Sequence, residues 1–312
     1  MTAEKPHERP DAPSRRGFLG GAAALFAASS LPAIAKPEPG RAESRRGRLS
    51  PIYVHVKAGA EKPFSALHIS DTHLTAAYPS DDEKYRRFME RRTKTFGGMQ
   101  EEALAVSIDY AKRNNDWLVH TGDLIDFPGK ANFDLVRKYF GTSEGLVGAI
   151  GNHDYFHGKD LQRRADTFKE AQSAFPFALE FSSTVVNGVN FVALDNSIGP
   201  VSDRQLELFE AETKKGLPII LCAHCPVFSR PNLWAAAAKN GKKFPSPEKW
   251  TGVQNVTQRT KDFRKRLENE PLLKAVLCGH VHFTVQDRIS PTAVQYVVGG
   301  NFMFAGQVAM IT

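Results

Sequence analysis

Only 3 cysteines occur in 312 residues, so disulfides do not hold this fold together. No apolar run approaches the roughly 20 strongly apolar residues of a membrane span. The nearest, Gly20 to Leu31, is short, diluted by Gly and Ser and followed by Pro32. There is no internal repeat and no shift in composition that marks a second domain. Lys and Arg number 41 against 34 Asp and Glu, a net +7, but no basic run accompanies an RNA- or DNA-binding motif. These absences exclude a disulfide-stapled scaffold and a repeat array, and no nucleic-acid partner is expected. A modest positive field favours anionic small molecules. It drops only to +6 when residues 1–35, with four basic and three acidic side chains, are set aside.

The N-terminus sets the expected compartment. Ser14-Arg15-Arg16-Gly17-Phe18-Leu19 is a twin-arginine signature, and Ala33-Ile34-Ala35 after the weakly apolar stretch is a small-x-small cleavage pattern. Residues 1–35 therefore read as a Tat signal, with the Tat export machinery as a partner and a periplasmic or secreted location. Residues 36–50 are charged and rich in Pro and Gly, a flexible leader. The remainder, 51–312, suits one α/β domain with a sizeable core.

Strands are expected at Ile52–Val56, Phe64–Ser70, Trp117–Thr121 and Leu146–Ile150, with helices over 82–92, 99–112, 133–140 and 160–174. Alternation of strand and helix means βαβ units and parallel pairing. Asn187-Gly188, between strands at 179–186 and 189–194, is a strong hairpin signal and opens a second, antiparallel-containing sheet. A helix over 202–215 has Ser202 as its cap and Gly216 as its stop. Strands over 217–223, 274–278, 285–289, 294–298 and 307–311 finish an α/β chain of two mixed sheets flanked by helices.

Five clusters of ligand-type residues follow expected strands: Asp71-Thr72-His73, Gly122-Asp123, Gly151-Asn152-His153-Asp154, Ala223-His224 and Gly279-His280-Val281-His282. Strand ends are where rigid scaffolds bring distant parts of a chain together. Carboxylate, imidazole and amide oxygen suit Mn, Fe or Zn without any thiolate. Cys222 and Cys278 each lie two residues before a cluster histidine. They read as buried inert thiols, and their pairing is left open. Cys222 and Cys225 form a C-x-x-C that suits a ligand loop better than a redox motif.

In order and content the five clusters resemble the calcineurin-like metallophosphoesterase family, over roughly two thirds of the chain. The resemblance implies a four-layer α-β-β-α sandwich and two divalent or mixed-valence cations (Mn, Fe or Zn), with Asp123 bridging them. One cation would take Asp71, His73 and His282, the other Asn152, His224 and His280. A hydroxide bridging the cations would attack phosphorus in line, and His153 would protonate the leaving group as general acid or stabilise charge developing on phosphoryl oxygens. Asp126 matches the family's partner for that histidine, with Asp154 as the alternative.

Ile69-Ser70-Asp71-Thr72-His73-Leu74, Gly122-Asp123-Leu124 and the Gly-Asn-His-Asp block are most similar to bacterial class III cyclic-nucleotide phosphodiesterases. Those usually carry His-His-Pro-Pro where this chain has Ala223-His224-Cys225-Pro226. Asp126 stands where purple acid phosphatases have Tyr, and Phe127-Pro128 where protein phosphatases have Arg-Gly.

The expected activity is hydrolysis of a phosphodiester or small organic phosphate by an exported enzyme. Two alternatives stand beside it: a metal-binding scaffold without turnover, and a phosphohydrolase acting on lipid-linked substrate at a membrane. Residues 229–266, where Trp234, Phe244 and Trp250 lie among lysines, read either as a substrate lip or, over 233–239, as an ordinary helix with a solvated face. Residues 76–98, which carry Arg86, Arg87, Arg91, Arg92 and Lys94, read as a second lip or an exposed helix.

Overall fold

The computed structural model describes residues 47–142, 144–156, 161–228, 230–241 and 257–312. The twin-arginine segment and most of the expected leader lie outside the described residues. Ser50, assigned to the leader from sequence, instead opens strand β1.

Eleven strands among the described residues form two mixed sheets. The first has the order β1-β11-β2-β3-β4, with β1 at Ser50–Val56, β2 at Phe64–Ile69, β3 at Trp117–Thr121, β4 at Leu146–Ala149 and β11 at Ala305–Ile311. Strands β2, β3 and β4 run parallel, β11 is antiparallel to β2, and β1 is parallel to β11. The second sheet has the order β5-β6-β7-β8-β10-β9. Its strands are β5 at Phe181–Val186, β6 at Val189–Leu194, β7 at Ile219–Cys222, β8 at Leu273–Cys278, β9 at Val285–Arg288 and β10 at Val294–Val297. β6, β7, β8 and β10 are mutually parallel, and the hairpin partners β5 and β9 are antiparallel. Asn187 and Gly188 carry φ of 46° and 78°, the positive values a tight two-residue hairpin needs.

Eight helices pack outside these sheets among the described residues: α1 (Glu83–Thr95), α2 (Gln100–Asn114), α3 (Lys130–Tyr139), α4 (Asn152–Tyr155), α5 (Leu161–Ala174), α6 (Asp203–Thr213), α7 (Pro231–Lys239) and α8 (Gln258–Glu268). Leu104, Phe133, Val136 and Ala171 cover the outer face of the first sheet through Leu67, Ile69 and Leu118. Phe209, Leu233 and Phe263 do the same for the second through Leu221 and Val276. Between the sheets lies a third apolar layer that includes Ala66, Val119, Phe191, Ile220 and Leu277. The result is an α-β-β-α sandwich. No helix of the described residues is long and apolar enough to cross a membrane.

The structure adds three particulars. The last strand returns to the first sheet and inserts between β1 and β2, a long-range pairing with no local signal. Within 229–266 the run 233–239 is helical, as one of the two sequence readings has it: α7 packs along β9, where Asp287 accepts from the amides of Asn232 and Leu233 at 3.2 and 3.0 Å. Phe244, Trp250 and Lys242 lie outside the described residues. Cys222 and Cys278 are free. Cys222 points into the layer between the sheets and Cys278 into the outer layer, because Cys222 pairs in register with Leu277 and side chains alternate along a strand.

Candidate metal centre

All five clusters converge at the carboxyl ends of β2, β3, β4, β7 and β8. The backbone there is unusual. Asp71, His73, Asp123, His280 and His282 have φ between 52° and 70°, a left-handed conformation that costs a residue with a side chain roughly 1–3 kcal/mol. Of the seven such residues described, only Asn187 and Phe304 lie elsewhere. The turns are held from below: Asp71 N–H donates to Gly122 O, and His73 N–H to Asp123 O, both at 2.9 Å. Gly151 and Gly279 are required by proximity, since a Cβ on the first would collide with the Asp123 carboxylate and on the second with Ser70 Oγ.

Both carboxylates are anchored by one oxygen. His280 N–H donates to Asp71 Oδ2 at 2.8 Å, and His153 N–H to Asp123 Oδ1 at 2.9 Å. The other oxygens face histidines: Asp71 Oδ1 is 3.3 Å from His282 Nε2, and Asp123 Oδ2 is 3.2 Å from His224 Nε2 and 3.7 Å from His73 Nε2. Backbone and carboxylate acceptors fix two tautomers. His73 Nδ1–H donates to Asp126 Oδ1 at 3.0 Å and His224 Nδ1–H to Thr121 O at 2.8 Å, which turns each Nε2 lone pair inward.

Asp71, His73 and His282 thus form one group of converging ligand atoms, and Asp123, His224 and His280 another. Within each group two imidazole nitrogens approach to 3.1 Å, His73 to His282 and His224 to His280. Asp71 Oδ1 and Asn152 Oδ1 are buried without any hydrogen-bond partner, which a folded protein avoids unless something else satisfies them. Lone pairs converging beside orphaned carboxylate and amide oxygens fit two cations of the Mn, Fe or Zn kind.

The electrostatics agree. Burial opposes ionisation of Asp71 and Asp123, yet the surrounding histidines hold both well below the usual carboxylate range. Burial works to lower His224, but the charge of Asp123 lifts it to about 10. A cation held by His224 would have to displace that proton.

A third group, His73, Asp126 and His153, is of another kind. Both Asp126 oxygens are taken by Arg92, Nε at 2.5 Å and Nη2 at 2.8 Å, so this group suits hydrogen bonding rather than a cation. His153 Nδ1–H lies 2.7 Å from Asp126 O and 3.2 Å from Asp126 Oδ1. Burial pulls His153 down, but Asp123 and Asp126 outweigh it and raise it to about 9. The alternative partner, Asp154, points away from His153. It accepts from the backbone N–H groups of Gly151, Asp123 and Ile125 at 2.8 to 3.0 Å.

Sequence patterns gave no signal for Arg92 as a partner of Asp126, 34 residues away, nor for Phe96, whose ring stacks on His73 at 4.1 Å. They were equally silent on two neutral histidines beneath the site. Burial lowers His120 to about 3 and His68 to about 4. His120 Nδ1 accepts from Gly122 N–H at 3.2 Å and its Nε2 lies 3.1 Å from Thr72 Oγ1, joining the first two ligand turns. His68 bridges Gln307 and Thr121.

Burial makes His68 a source of pH-dependent stability. Its contribution is fully present above the unfolded value of 6.5 and is lost as pH falls toward about 4, an effect of roughly 3 kcal/mol. Urea denaturation at pH 7 and pH 4 should therefore show the gap between wild type and His68→Gln shifting by about that amount in favour of the variant at pH 4. Parallel losses in the two proteins would contradict this.

Comparison with known proteins gives a family match. The model of the calcineurin-like phosphoesterase family matches residues 64–283. No curated protein matches the chain. Among solved structures, a dimetal phosphatase from Danio rerio aligns at 14% identity and TM-score 0.47, over 80% of this chain and 93% of that one. A purple acid phosphatase from yellow lupin (Lupinus luteus) aligns at 15% identity and TM-score 0.48, over 78% of this chain and 45% of that one. A 5'-nucleotidase from Candida albicans aligns at 13% identity and TM-score 0.36, over 76% of this chain and 46% of that one.

Proposed function

This chain belongs to the calcineurin-like phosphoesterase family and is a metal-dependent phosphoester hydrolase, and we propose that it is an exported enzyme acting on phosphodiesters or small organic phosphates. The observation that carries the site assignment is the matched pair of anchored carboxylates, Asp71 and Asp123, each turning its second oxygen toward histidine nitrogens. Asp71, His73 and His282 would hold one cation and Asn152, His224 and His280 the other, with Asp123 serving both. When bound, such a pair would supply Lewis acidity, activating water and offsetting negative charge on the oxygens around phosphorus.

The chain's own residues supply the rest. Asn152 brings a neutral amide oxygen, so the site keeps positive charge for an anionic substrate. With Nδ1 engaged by Asp126, His153 has Nε2 left to deliver a proton to the leaving alkoxide. The side chain is a third exposed, open enough to meet a substrate. Export is supported by Ser14-Arg15-Arg16-Gly17-Phe18-Leu19 and Ala33-Ile34-Ala35, and a relation to class III cyclic-nucleotide phosphodiesterases by the blocks at 69–74, 122–124 and 151–154.

A kinetic panel of phosphomonoesters, cyclic nucleotides, phosphodiesters and phospholipids tests this, run on protein of measured metal content. Turnover should vanish on chelation and return with Mn, Fe or Zn. A cation held at about a thousand times its Kd contributes roughly 4 kcal/mol, so chelation should also lower Tm by about 10 °C. Metal content without hydrolysis anywhere on the panel would favour a binding scaffold instead. Preference for phospholipid in vesicles would favour a lipid-linked substrate.

A further inference from the structure

Arg92 has no part in the chemistry above, yet it touches two groups that hold His73. Its guanidinium forks onto Asp126, Nε to Oδ2 at 2.5 Å and Nη2 to Oδ1 at 2.8 Å. Its Cζ also lies 5.1 Å from the ring centroid of Phe96, the ring stacked within 7° of parallel on His73. Asp126 in turn reaches His73 Nδ1 at 3.0 Å and His153 Nδ1 at 3.2 Å.

The Asp126 side chain is fully buried while that of Arg92 is 26% exposed, so the arginine enters from the surface and ends in the site. Its helix is fixed at both ends. Asp82 caps the start of α1, and at the other end Thr93 Oγ1 lies 2.5 Å from Thr75 Oγ1, just past the first ligand turn.

A carboxylate shared by two imidazoles can turn about its last bond and serve one at the expense of the other. A planar fork that occupies both oxygens removes that freedom, and lysine, a single point charge, does not. We propose that Arg92 is a positioning residue that locks the Asp126 carboxylate so that it holds His73 and His153 together, joining one cation's ligand to the proton donor. This rests on the site assignment above.

The test uses Arg92→Met, which keeps the apolar stem, and Arg92→Lys, which keeps the charge. Two readouts are taken: kcat and KM on the best ester of the panel, and titration of the metal-free protein with Mn or Zn. Loss of a partner behind a ligand typically costs 10–100-fold in metal affinity or activity. In both variants kcat should fall by that factor with KM within about twofold, and one of the two cation equivalents should bind about tenfold more weakly. Guanidinium added below denaturing concentration should restore part of the kcat of Arg92→Met.

A KM rise with kcat intact would mean that Arg92 meets substrate directly and would overturn the proposal. So would unchanged kcat and cation affinity. Should Arg92→Met fail to fold, Arg92→Lys carries the same comparison. Should the wild type hydrolyse nothing, the cation titration still reads the lock, so the two readings fail separately.

Discussion

Asp123→Asn is expected to lower kcat by at least about 10³-fold, roughly 4 kcal/mol of barrier at 1.4 kcal/mol per decade. The substitution nearly preserves shape, so the loss would report charge. Asp123 Oδ1 is committed to the His153 amide and Oδ2 faces His224 and His73; an amide would keep one contact and remove the negative charge between two cation positions. With that charge gone, two cations held there would repel with less to offset them. Calorimetric titration of the metal-free variant should show one cation equivalent weakened or absent. Turnover and stoichiometry both equal to wild type would exclude Asp123 as the shared ligand.

The second large effect concerns His153 and should depend on the leaving group. Replacement by Ala removes the proton donor, worth 10²–10⁴-fold when the departing alkoxide is a strong base. With p-nitrophenyl phosphate, whose leaving group departs without protonation, the loss should stay within about tenfold. The comparison separates two roles for one imidazole, because a residue that only stabilises charge on phosphoryl oxygens would lower both rates alike. Equal losses on alkyl and p-nitrophenyl esters would therefore sink the general-acid assignment. Cation content should be unchanged in this variant, since His153 Nδ1 is held by Asp126.

Much of the sandwich could be read from periodicity, and the reasons are local. β3 and β6 match their expected spans, 117–121 and 189–194, because short buried strands between turn residues leave little choice. The end of α6 was equally readable, with Gly216 at φ 70° where the helix stops. The five clusters were legible because each sits within a few residues of chain. What escaped was non-local: the approach of Arg92 to Asp126, the turn of Asp154 toward three amides, and the return of β11. The bonds that fix the His73 and His224 tautomers also escaped, being made across 53 and 103 residues. Left-handed backbone at five candidate ligands escaped for a different reason. Asp and His carry no mark of such strain, and only the hydrogen bonds beneath the turns sustain it.

The placement of β11 bears on the order in which the molecule can be made. β1 pairs with β11 from Ser50↔Ala305 to Val56↔Ile311, and β2 pairs with the same strand from its other side. During synthesis, β2, β3 and β4 leave the ribosome long before the strand that covers β2, so an apolar edge waits unpaired until residues 305–311 emerge. Nascent chain in that interval presents a template for strand addition by other molecules. Pairing over such sequence separation also slows the final step of folding. Completion of the first sheet, and with it the pairing of β2 on its second side, therefore waits for residues 305–311.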